Sequence, residues 1–115
     1  MSASALQACI ERHLKHAEVV FKLDNELGTH HGLSWADFML LSVLDVAGGA
    51  AQAVELAHSL RVPASHLLIG LLPLEKIGMV ERRADSDGKR RIRLRPQGQR
   101  LLREARITAA NACGS

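Results

Sequence analysis

The densest chemistry in the sequence is cationic. Arg82, Arg83, Lys89, Arg90, Arg91, Arg93 and Arg95 fall within one short stretch, interrupted only by a turn carrying Asp85 and Asp87. Guanidinium and ammonium groups at this density suit phosphate oxygens, which they meet with charge-assisted hydrogen bonds. The formal charge of +3 conceals this concentration. Residues 1–80 hold five basic and eight acidic residues, a net of −3, whereas residues 81–115 hold ten basic and four acidic ones, a net of +6. Such segregation describes a polyanion-gripping element carried on a near-neutral body.

Other reactive side chains are sparse. Six histidines occur, including the i, i+3 pair His13 and His16 and the adjacent His30 and His31, but no Cys/His spacing matches a closed zinc site. Cys9 and Cys113 are the only cysteines, which excludes a disulfide scaffold. Cys9 lies on an apolar stripe, where a free thiol is expected to pack as a small hydrophobe. Asp85 and Asp87 read as turn formers. No phosphate loop, GxSxG elbow or HExxH helix is present, so neither an enzyme nor a cofactor or metal ion is expected.

These groups need a scaffold, and 115 residues with 47% apolar content suffice for one buried core. Apolar runs are too short to span a membrane. Glu11, Arg12 and Lys15 stand where a signal peptide needs hydrocarbon, so a cytoplasmic protein is expected. Leu6, Cys9, Ile10, Leu14, Ala17, Val20 and Phe21 trace the stripe of a long first helix, expected to end at Gly28. Ser34 followed by Asp37 predicts the start of a second helix, which stops at Gly48-Gly49. A third, short helix is expected over 53–60. A fourth opens with Pro63 in its first turn and stops at Gly78, with Pro73 expected to kink or shorten it. Beyond Gly78 the period changes from helix to strand. Two strands are expected around Asp87-Gly88, with Ile92 and Leu94 on one face and Arg91, Arg93 and Arg95 on the other. Pro96 opens a last helix reaching about Ala110. The order is that of a mainly α winged helix-turn-helix with a small β-hairpin wing and flanking helices.

Glu55-Leu56-Ala57, Leu60, Val62, Leu74-Glu75, Gly78-Met79-Val80-Glu81-Arg82 and the Asp-rich turn before an Arg-rich strand resemble the MarR family of bacterial transcription regulators over about residues 34–105. The resemblance implies a single winged-helix domain over 1–115. Residues 34–95 would be its DNA-binding core and wing, and residues 1–28 and 96–113 its dimerisation helices. It implies a homodimeric repressor on a pseudo-palindromic duplex site. Ser65, His66 and Ile69 would enter the major groove, where Leu68 or Ile69 can meet thymine methyls. Arg82, Arg83, Lys89, Arg90 and Arg91 would hold the backbone or adjacent minor groove. Leu6, Cys9, Ile10, Leu14, Leu101, Leu102 and Ala105 would form the dimer seam, a reading the uncovered first-helix stripe also supports. A small-molecule effector is implied where the dimer helices meet the winged unit, near Phe21, His30, His31 and Trp35, with Phe38 read as core. The family's peroxide-sensing branch tunes its cysteine with tyrosines, and this chain has none.

The departures are informative. The groove-entering helix offers Leu68, Ile69 and Leu72 where the family usually has polar residues. Arg61 stands where a turn glycine is expected, and Arg95 where a threonine usually caps the last helix. One helix is expected after the wing where the family typically has two. An apolar fourth helix leaves a second reading open: a protein-interaction module with weak or no sequence-specific DNA binding.

Overall fold

A computed structural model describes residues 2–114. The elements run α1 (Ser2–His31), α2 (Trp35–Val46), β1 (Ala50–Ala51), α3 (Ala53–Leu60), α4 (Ala64–Lys76), β2 (Val80–Ala84), β3 (Arg90–Leu94) and α5 (Pro96–Cys113). The three strands form one antiparallel sheet in the order β1–β3–β2. A winged helix-turn-helix is therefore present, with α3 and α4 as the helical pair and β2–β3 as the wing.

Helix boundaries follow local chemistry. α1 continues through Gly28 and ends at Gly32 instead, whose φ of +69° supplies the left-handed residue. The Gly32 and Leu33 amides then close back onto the Gly28 and Leu27 carbonyls, satisfying the helix's last acceptors. Gly28 keeps a helical conformation, so its presence in the sequence was a misleading stop signal. α2 starts with the expected reciprocal cap. The Asp37 amide donates to Ser34 Oγ at 2.9 Å, and the Ser34 amide to Asp37 Oδ2 at 3.0 Å. Asp24 on α1 adds a third acceptor, taking the Trp35 amide at 2.6 Å and fixing α2 against α1. Pro63 sits just outside α4, as its N-cap residue. Pro73 does not truncate α4; the helix runs on to Lys76, so the missing proline donor falls within its last turn.

The sheet holds one strand more than the sequence pattern predicts. Ala50 and Ala51 pair with Arg93 and Ile92, and the Leu94 amide donates to the Gly49 carbonyl. Alanine has little strand propensity, so only the neighbouring strand reveals β1. β2 and β3 pair from Val80↔Leu94 to Ala84↔Arg90. Their loop is three residues long: the Gly88 amide bonds to the Asp85 carbonyl, the Asp85 amide to the Lys89 carbonyl, and Gly88 takes φ +80°.

One core unites Leu23, Leu27 and Leu33 with Leu41 and Leu44 of α2, Leu56 of α3, Leu67, Leu71 and Leu74 of α4, Ile92 of the wing and Leu102 of α5. Leu102 and Ala105, expected in the dimer seam, are buried within the single chain as part of its own core. Leu101 is only partly buried. Gly98 lets α5 cross the base of the wing: a methyl built there would overlap the Met79 carbonyl oxygen and approach Leu94 Cδ1 at 2.8 Å. In contrast to this packing, residues 3–19 of α1 are exposed throughout.

Candidate nucleic-acid interface

α4 and the wing form one continuous surface. The buried row of α4 is Leu67, Leu71 and Leu74. The opposite row, spaced i, i+4, i+7, i+11, is therefore Ser65, Ile69, Leu72 and Lys76. Ser65 and His66 are exposed at the helix start, Ile69 is 66% exposed and Leu68 37%. The residues expected to enter a groove thus stand together at the surface.

The wing's two faces behave differently. Strand alternation puts Glu81, Arg83, Arg91 and Arg93 on one face and Arg82, Ile92 and Arg90 on the other. On the first face the cations are largely neutralised. Asp85 accepts from Arg93 at 2.5 Å and from Arg91 at 2.7 Å, while Asp87 accepts both Arg91 Nη1 and Nη2 at 3.1 and 3.0 Å. The hydrogen bond from Arg93, then that from Arg91, holds the Asp85 carboxyl below the usual aspartate range. Asp87 is lowered chiefly by Arg91, with the Lys89 amide assisting. The same carboxylates push the Arg91 guanidinium up. Arg91 therefore first organises the turn. The two aspartates do more than form it: they close an ion-pair cluster that composition alone does not disclose.

On the second face Arg82 is also engaged. Its Nε and Nη2 both donate to Glu75 Oε1, at 3.0 and 2.6 Å, joining β2 to α4. This fixes the angle between α4 and the wing. Lys89 and Arg90 remain exposed and form no ion pair among the described residues. Arg83 is nearly as available, with 62% side-chain exposure and a long 3.8 Å approach to Glu81. Arg90, Arg82, Leu68, Ala53 and Ile92 line a groove of about 460 Å³ between wing and α4. Of the cations predicted from sequence, Arg83, Lys89 and Arg90 are presented, and Arg82 and Arg91 are held internally.

The four residues expected near an effector do not come together. His30 and His31 line a polar recess of about 520 Å³ between α1 and α5, with Lys22, Glu26, Thr108 and Asn111. His31 Nε2 lies 2.7 Å from Thr108 Oγ1. Trp35 instead stacks on Phe38 at 5.3 Å and lines a more apolar cavity of about 550 Å³ with His16, Met39, Leu40, Leu60, Val62 and His66. Phe21 borders neither and is 78% exposed. Phe38 is buried, as its position on the α2 stripe predicts. Cys9, expected in a seam between two chains, is exposed in the single chain, with Arg12 Nη2 3.5 Å from its sulfur. Among the described residues no cluster of three potential metal ligands exists, and no helix is long and apolar enough to cross a membrane.

No family model matches the chain, and no curated protein does. Solved structures do. A MarR-family transcriptional regulator from a Rhodococcus species is 19% identical, with a TM-score of 0.83 over 97% of this chain and 79% of that one. A mutant Escherichia coli MarR complexed with operator DNA is 20% identical, with a TM-score of 0.82 over 91% and 75% of the two chains. CouR from Rhodococcus jostii, bound to p-coumaroyl-CoA, is 19% identical, with a TM-score of 0.81 over 89% and 72%. At these identities the likeness establishes the fold: a winged helix of the MarR type.

Proposed function

We propose that this chain, with its MarR-type winged-helix fold, is a homodimeric transcriptional regulator that binds duplex DNA and represses by occupying a promoter. The carrying observation is that the outer row of α4 is exposed and that the wing, whose Lys89 and Arg90 are exposed without an ion pair among the described residues, meets α4 across a groove lined by Leu68 and Arg90. α4 enters the major groove while Ser65 and His66 reach base or phosphate, and Lys89, Arg90 and Arg83 hold the backbone. Arg82 and Arg91 support the geometry instead of supplying phosphate contacts of their own. The operator-bound MarR relative supports the same use of the fold.

The test is binding to random duplex DNA against salt. Each phosphate neutralised contributes about 0.9 to the slope of log affinity on log salt. Arg90→Ala is expected to reduce the slope by about that amount per protomer without changing the melting temperature. No binding at low salt would favour the second reading, a protein-interaction module docking its partner on exposed Leu68, Ile69 and Leu72.

Ligand response belongs to the cavity beneath Trp35, because Val62 and His66 in its wall lead directly into α4. A small apolar ligand seated there shifts the start of the recognition helix and with it the DNA-bound population. Trp35 is the only tryptophan. Its fluorescence, followed in the same duplex-binding experiment, reports occupancy; a ligand that changes the signal without changing DNA affinity rules out the coupling.

A further inference from the structure

We infer that the recognition helix selects its site by apolar contact with thymine methyl groups, with Ile69 and Leu72 as the specificity-determining residues. This rests on the DNA-binding reading above. Between Ser65 at its start and Lys76 at its end, the outermost row of α4 carries only hydrocarbon: Ile69 and Leu72 are 66% and 56% exposed, and Leu68 beside them is 37% exposed. No amide, carboxylate or guanidinium stands among them to exchange hydrogen bonds with a base edge. Their exposure is not dictated by folding, because Leu67, Leu71 and Leu74 already fill the core side of the helix.

In the major groove a hydrocarbon side chain finds one apolar feature, the C5 methyl of thymine. The other groups on the base edges there are hydrogen-bond donors and acceptors, apart from the C5–H of cytosine, which is smaller than a methyl. Pressing Ile69 or Leu72 against such a group strips its water and returns no partner, which is costly. Discrimination therefore has two parts: a gain at thymine and a penalty at guanine or cytosine. Arg90, which lines the groove between wing and α4 together with Leu68, attracts phosphate and leaves base identity to the aliphatic side chains.

The test uses the tightest duplex selected from a random pool, synthesised with thymine or with deoxyuridine, which lacks only the methyl. A buried methyl of this kind is worth about a fourfold change in affinity. The deoxyuridine duplex is expected to bind about fourfold more weakly per contacted methyl, at unchanged salt slope. Ile69→Ala, at an exposed position that leaves the fold intact by circular dichroism, is expected to bring the two duplexes towards equal affinity. Equal binding of the two duplexes by the unaltered protein overturns methyl reading while leaving DNA binding intact. So does a selected half-site without thymine, or a thymine preference that survives both Ile69→Ala and Leu72→Ala. Failure to retain any duplex at low salt overturns this inference together with the function it rests on.

Discussion

Arg61 is the only non-glycine residue at positive φ among the described residues, at +59° in the turn between α3 and α4. A side chain in this region costs about 1–2 kcal/mol through the clash of its Cβ with the carbonyl. The sequence marks the position, since the resemblance expects glycine there. The structure adds the compensation: Arg61 Nη1 donates to the His58 and Ser59 carbonyls at 2.7 and 3.2 Å, capping the open end of α3. Arg61→Gly removes strain and cap together, whereas Arg61→Ala keeps the strain and loses the cap. Chemical denaturation is expected to place the glycine variant about 1 kcal/mol above the alanine variant. Equal stability of the two would show that no strain is stored at this turn. Arg95 is the other departure, and here the structure offers no substitute for the usual cap: it holds the N-cap position of α5 without a side-chain capping bond and reaches Glu81 at 3.2 Å instead.

At the scale of elements, the wing is a hairpin held by its own charges. Asp85 and Asp87 are both lowered from the ordinary aspartate value, first by hydrogen bonds from Arg93 and Arg91 respectively. A carboxyl that is more acidic folded than unfolded contributes its stabilisation above the ordinary aspartate value. That contribution disappears as pH falls through the lowered folded value. The wing is therefore expected to loosen on strong acidification while the α2–α5 core keeps its signals. An NMR titration following the Gly88 and Lys89 amides checks this, and Asp85→Asn is expected to loosen the same amides already at neutral pH. A wing whose amides in Asp85→Asn match those of the unaltered protein would refute the clamp. This device also explains where sequence reading stopped. The Ser34–Asp37 cap, the apolar stripes and the Asp-Gly turn are local signals, so α2, α3, α4 and the hairpin were legible from spacing. Arg82–Glu75 and Arg93–Asp85 join residues seven and eight apart across different elements or around the turn, and no periodicity reveals which cations they occupy. β1 was hidden for the same reason: Ala50 and Ala51 become a strand only because β3 lies beside them.

For the whole molecule, the decisive feature is how much of α1 lies outside the core. The radius of gyration is 16.0 Å, against about 13 Å for a compact chain of this length. The accessible surface is 7568 Å², against about 6200 Å² for a compact monomer of 12.5 kDa. Residues 3–19 are exposed throughout, a length of about 26 Å at helical rise. α1 has two apolar lines. Leu23 and Leu27 serve the chain's own core, whereas Leu6, Ile10, Leu14, Ala17 and Phe21, spaced by four, four, three and four, form a separate exposed stripe. Phe21, read from sequence as an effector contact, belongs to this stripe by geometry. Leu102 and Ala105, read as seam, are spent on internal packing, so the pairing surface we propose is α1 itself. A second copy laid along it would cover the stripe and hold two α4 helices for half-sites one helical turn, about 34 Å, apart. Light scattering is expected to give twice 12.5 kDa. Ile10→Asp combined with Phe21→Asp is expected to yield a folded monomer, because both side chains are already exposed in the single chain, 43% and 78%. The monomer is expected to keep weak non-specific DNA binding and to lose preference for a palindrome over an isolated half-site. An unaltered protein that scatters as a monomer at micromolar concentration would refute this pairing, and a double variant that remains dimeric would move the seam away from the Leu6–Phe21 stripe.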